Sequence, residues 1–242
     1  MPLKHRLAAL AALSLAAAGT TACSAADSLS AQEKPAVAIG IDATDTEQII
    51  LAEIYNRVLT AQGRPVSVTA LAGFEGNTDA LDMLKRAPVD FTITCSGELL
   101  EAQNPEAAKR LAGESEQTRA EADAPYSDRV YAQAVATLPG DVQSVDPSPA
   151  QGCGAKGKLD DELAQNIIPL FSKGILDRGE VQRVNFMTRV MATDEIAEMV
   201  EEYEDGTPLR DCVRDWLLEY AQIDVYAGDP VDPVDLDSAT SN

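Results

Sequence analysis

The stretch Val37 to Leu59 constrains this chain most: a short apolar run passes through a Thr/Asp-rich turn into an amphipathic segment. Val37, Ala38, Ile39 and Ile41 surround Gly40, the pattern of a buried strand whose backbone bends or is closely approached near its end. Thr44 or Asp45 can cap a following helix, with Glu47 or Gln48 completing a capping box. Ile50, Ile54 and Val58, with Leu51 and Tyr55, keep three-to-four spacing, so one stripe of that helix faces a sheet. Strand, polar turn and helix begin an α/β unit, and the free N–H groups at such a helix start can hold an anion or a polar ligand group. The same pattern also describes an ordinary capped junction.

Downstream, Gly63 ends the helix, and Val66, Val68 and Ala70 alternate as a second strand, which a βαβ connection makes parallel to the first. Gly73 to Asn77 reads as a loop, and Thr78 to Arg86 as a helix through Ala80, Leu81 and Leu84. Pro88 closes that helix before a strand over Val89 to Thr94. Glu98 to Asp123 is rich in Ala and Glu and reads as one or two exposed helices with a mobile link and a solvated charged face. Ser127 to Thr137 has helical spacing, Val142 to Val145 is a short strand, and Asp146 to Ala150 leaves it extended. Thr193 and Asp194 start a helix carrying Ile196, Met199 and Val200. Val225 to Asn242 reads as a disordered acidic tail.

At the N-terminus, Lys4 and Arg6 precede an apolar run from Leu7 to Ala18, the form of a secretory signal over residues 1–22. Thr20-Thr21-Ala22-Cys23 resembles a bacterial lipobox, with Thr20 where most have Leu. Cys23 would then carry lipid on the outer face of the cell membrane, whereas ordinary cleavage would leave it a free thiol in a secreted chain. Residues 23–34 follow as a flexible tether. Removing the signal leaves 17 of 19 basic residues against 40 acidic ones, about −23 net, which disfavours nucleic acid and anionic membrane surfaces as partners. In an oxidising compartment two of Cys95, Cys153 and Cys212 are expected to pair. Three pairings are open, and the position of Cys95 and Cys153 after predicted strands favours that bridge.

The single histidine, His5, lies in the signal segment, so His-based acid/base catalysis, His-assisted nucleophiles and His-containing zinc sites are excluded from the mature chain. No phosphate loop, dinucleotide fingerprint or CxxC is present, so no cofactor and no catalytic residue is expected. Asp42, Asp45 and Glu47 form the best metal candidate, yet they lack the glycine and terminal Glu of an EF-hand loop, and no metal is expected.

The phrases themselves carry a resemblance. Thr46-Glu47-Gln48-Ile49-Ile50-Leu51-Ala52-Glu53-Ile54-Tyr55, after a Gly and a polar turn, resembles the opening of substrate-binding proteins of ABC importers for glycine betaine, choline and related quaternary amines. Gly76-Asn77-Thr78-Asp79-Ala80-Leu81, followed by Val89 to Gly97, resembles a later passage of that family. There a strand ends in a Tyr-Thr-Gly segment bordering the ligand. Ser96 and Gly97 match, while Cys95 stands in the tyrosine's place and removes a cation–π contact. Asp146 to Ala150 resembles the crossover into the family's second lobe, and Asn166 to Phe171 resembles its return strand. Only a shortened crossover, 152–165, lies between them. Lys173 to Arg178 and Glu180 to Arg189 resemble the short helices that follow, and Pro208 to Ala221, with Asp215-Trp216-Leu217, resembles the last helix. Trp216 is expected as a core anchor rather than a ligand contact.

The resemblance implies an α/β fold: a single periplasmic-binding-protein-like lobe with a mixed, mainly parallel sheet flanked by helices. Its domain would cover 35–224, with an acidic helical segment 98–124 and the tail at 225–242. It implies a small quaternary amine held near Thr44, Asp45, Thr46, Ser96 and Gly97, and an ABC permease as partner. With most of the second lobe missing, the alternative is a scaffold or accessory lipoprotein that binds another envelope or membrane protein complex.

Overall fold

A computed structural model describes residues 34–71, 79–85, 88–153 and 162–227. The expected signal segment, Cys23, most of the tether, the loop Gly73 to Asn77 and residues 228–242 lie outside them.

β1 (Val37–Ile41) is buried along its whole length, as its unbroken apolar pattern requires. It is followed by α1 (Thr46–Ala61), which Asp45 caps by accepting from the Gln48 N–H. Gly63 ends the helix turn at φ +73, in the left-handed region that glycine tolerates. β2 (Val66–Ala70) then pairs with β1 in parallel, from Val37 opposite Val66 to Ile41 opposite Ala70. After α2 (Ala80–Leu84), β3 (Phe91–Cys95) lies parallel to β1 on its other side. β4 (Val142–Ser144) and β5 (Ile167–Ser172) complete a sheet of order β2-β1-β3-β5-β4, in which β5 alone runs against the others. The fold is a single α/β lobe with a mixed, mainly parallel sheet flanked by helices.

The alternation of side chains divides the core. Ile39, Phe91, Ile93 and Phe171 face α1, α7 (Arg178–Val190) and α8 (Thr193–Glu204), while Ile168 and Leu170 face a second cluster on the opposite side. Tyr55, Phe91 and Phe171 pack in series, the first pair tilted at 5.1 Å between centroids and the second stacked at 5.7 Å. The second cluster is built by α3 (Ser96–Gln103), α4 (Pro105–Ala112) and α6 (Tyr126–Val135). The expectation of exposed helices over Glu98 to Asp123 is therefore corrected: Leu99, Leu100, Ala107 and Ala108 are buried there, and only α5 (Glu116–Glu121) buries nothing. Alanines at 107 and 108 let helices approach closely, a form of burial that leaves little apolar signal.

Three further expectations change. Lys173 to Arg178 is a turn with Gly174 at φ +86 rather than a helix, and one long helix follows, whose Asp177–Glu180 capping box fixes its start. The last helix is broken into α9 (Leu209–Cys212), α10 (Arg214–Trp216) and a π-turn over Leu217–Ala221 that stops at Gln222, φ 55. The acidic tail does not begin at Val225, which is buried in the core. Among the described residues no helix is long and apolar enough to cross a membrane.

Candidate functional site

β1, β3 and β4 run in one direction, so their C-terminal ends share one edge of the sheet with the N-terminal end of β5. In open α/β sheets that edge is where ligands bind. At the end of β1, Asp42 accepts from the Thr44 N–H (2.9 Å) and hydroxyl (2.6 Å), shaping a tight turn. Gln48 reaches back to accept from the Asp42 N–H at 2.9 Å. The expected capping box does not form: Glu47 instead accepts from the Cys153 N–H at 2.7 Å. Thr44 is exposed, while Asp45 and Thr46 are half-buried at the helix start.

At the end of β3, Cys95 forms a disulfide with Cys153, and Cys212 is a buried free thiol whose value is pushed up, first by burial and then by Glu202. Ser96 is fully buried. Its hydroxyl donates to the Ala164 carbonyl at 2.9 Å and accepts from the Asn166 N–H at 3.2 Å. The Gln165 carboxamide lies on Gly97, where a Cβ would meet its nitrogen at 2.7 Å, and its oxygen accepts from the Glu98 N–H at 3.0 Å. The N-terminus of α3, the group that could hold a ligand, is thus engaged by the chain's own crossover.

The structure joins the two expected halves of the site indirectly. Thr44, Asp45 and Thr46 stand at the start of α1, Ser96 and Gly97 at the start of α3, and the link between them runs through Glu47, Cys153 and Cys95. The crossover itself is held by an antiparallel bridge between Gln151 and Asn166 and by Gly152 N–H donating to Gln165 O at 2.9 Å. Glu47, Gln165 and Asn166 also stand at this edge, and the sequence did not assign them to the candidate site. Only Glu47 carried a signal, as one of three acids near the turn. Near the turn, Asp42 accepts from Thr44, Asp45 from the Gln48 N–H and Glu47 from the Cys153 N–H, three separate tasks.

A second depression, about 320 Å³, lies beside α8 and the broken last helix, lined by Glu195, Glu198, Glu202, Asp211 and Glu219. Trp216 is 7 % exposed and donates through its indole N–H to Glu195 at 2.9 Å, and the Tyr220 hydroxyl donates to the same carboxylate at 2.8 Å. Hydrogen bonding to Glu195, and then burial, push the Tyr220 hydroxyl up.

No protein-family model matches the chain, and no curated protein matches it. Among solved structures, apo YehZ from Escherichia coli is similar with a TM-score of 0.56 and 10% identity, over 76% of this chain and 98% of that one. A TRAP periplasmic solute binding protein from Pseudomonas putida F1, with bound D-glucuronate, overlaps with a TM-score of 0.40 and 9% identity, over 80% and 95%. At such identities the likeness to YehZ is one of fold.

Proposed function

We propose that the chain is a non-catalytic, extracytoplasmic binding protein of solute-receptor type, lipid-anchored at Cys23, with a working domain that starts at 35 and takes in the buried Val225. The observation that carries this reading is the convergence of two helix starts, α1 and α3, on the C-terminal edge of β1 and β3, in a fold shared with YehZ. The resemblance to quaternary-amine importers names the solute class, and a strongly acidic chain favours a small cation over an anion. Thr44, Asp45, Thr46, Ser96 and Gly97 would border it, and an ABC permease would receive it. A non-catalytic role is supported by the carboxylates at the edge, which serve backbone N–H groups as structural acceptors.

A second reading has its own observation. Ser96, Gly97 and the Glu98 N–H are covered by Ala164, Gln165 and Asn166, which favours an accessory lipoprotein presenting this edge to a membrane or envelope protein complex. Calorimetric titration of the mature chain with betaine, choline and carnitine separates the two. Heat at micromolar to millimolar ligand, lost in Thr46→Val, supports solute binding. No heat with any of the three, together with a membrane complex recovered on the chain from solubilised envelope, overturns it in favour of the second.

A further inference from the structure

Glu47, Cys95 and Cys153 bring a carboxylate oxygen and two sulfurs within 4.8 Å of one another. The sulfurs are bonded to each other, yet each residue is also held in place without that bond. Cys95 ends β3 in register with Ile167. Cys153 follows the Gly152 hydrogen bond to Gln165, and its own N–H donates to Glu47. Glu47 sits in the first turn of α1 behind the Asp45 cap. Gly152 makes room for it, since a Cβ there would lie 2.4 Å from its oxygen. Opening the disulfide therefore leaves two thiols and one carboxylate preorganised about one point, with both cysteines buried. Two thiolates and a carboxylate suit a d10 dication of the zinc class.

We propose that the Cys95–Cys153 disulfide masks a redox-gated Cys2Glu site for a thiophilic divalent cation. In the oxidised chain neither sulfur is a thiolate, and no ion is held. A thiol or phosphine reductant delivers two electrons to the S–S bond, which breaks, and each sulfur takes a proton. A dithiol ends as its own disulfide, and a phosphine takes oxygen from water to become its oxide. The dication then displaces both thiol protons to solvent and binds the two thiolates and Glu47. The Cys153 N–H continues to orient that carboxylate, as outer partners of metal ligands do.

The test uses the mature chain carrying C23S and C212S, so that Cys95 and Cys153 are its only thiols. It is reduced with a phosphine and titrated with Cd2+ while the ultraviolet thiolate-to-cadmium band is followed. The expected result is one ion per reduced chain and none per oxidised chain, loss of the site in C153S, and affinity about 10-fold or more weaker in E47Q with the band retained. No band on reduction, equal uptake by the oxidised chain, or unchanged affinity in E47Q overturns the proposal. Circular dichroism is recorded in parallel. Should reduction unfold the chain, Cd2+ is expected to restore the fold in the parent and not in C153S, and failure to restore it also overturns the proposal.

Discussion

Arg64 and Glu180 meet through two hydrogen bonds, Nε to Oε1 at 3.0 Å and Nη2 to Oε2 at 2.6 Å, with their side chains 4 % and 1 % exposed. The pair ties the end of the α1–β2 connection to the start of α7, and Lys34 joins it by donating to Glu180 and pairing with Asp177, both at 2.8 Å. Removing one charge from such a buried pair strands the other. Glu180→Gln is therefore expected to lower unfolding free energy by about 3 kcal/mol, read from urea midpoints.

The same cluster sets an acid limit. Burial pushes the Glu180 carboxyl up, but hydrogen bonds from Arg64, Lys34 and the Asp177 N–H outweigh it and hold the group below the ordinary glutamate value. Asp177 is held low as well, chiefly by Lys34. A carboxyl depressed in the folded state contributes stability that is fully present above its unfolded value and lost as pH falls through the folded one. Urea midpoints are expected to be level down to about pH 5 and to decline below about pH 4, with a shallower decline in Glu180→Gln.

Removing the disulfide with C95A/C153A frees a loop spanning 58 residues of sequence separation. Loop entropy places the loss at about 4 kcal/mol. A melting temperature lower by roughly 10 °C in a thermal scan is the expected outcome.

Gly97 and Gln165 form a contact that a methyl group would break, with 2.7 Å between the added carbon and the carboxamide nitrogen. Gly97→Ala is expected to displace Gln165 from the Glu98 N–H and cost about 1 kcal/mol. In a Gln165→Ala background the same substitution should cost clearly less. A double-mutant cycle with no coupling would show that the crossover does not rest on this wall.

Trp216 is the only tryptophan, so its emission reports one place. Glu195→Ala removes the acceptor shared by Trp216 and Tyr220 and admits water to the indole edge. The expected outcome is a red-shifted emission maximum and a loss of about 1 to 2 kcal/mol, with Glu195→Gln intermediate in both.

The parts of the fold legible in the sequence are those with a period. Val37 to Leu59 declares its strand and helix because large side chains recur at the right spacing. The α3–α4–α6 core was hidden because Ala107 and Ala108 are buried by close approach, without bulk. The missing helix at 173–177 turned on a single left-handed glycine, Gly174. At the candidate site the residue types near Thr44 and Ser96 could be picked out, but what covers Ser96 comes from Ala164 to Asn166, nearly seventy positions away. Contacts at that separation leave no local pattern, so the wall could be seen in the sequence and its occupant could not.

The Gln151–Asn166 bridge bears on how this protein could pass information on. Two-lobed receptors report occupancy through the angle at their crossovers, which act as a hinge. Here Ser148 N–H donates to Ile167 O, Ile167 N–H to Ala150 O and Gly152 N–H to Gln165 O, so the described ends of the crossover continue the sheet as a short ribbon. A ribbon laced in this way resists bending. Those ends hold one fixed relief of shape and charge at this edge, as a key keeps its cut, rather than a posture that changes with each encounter.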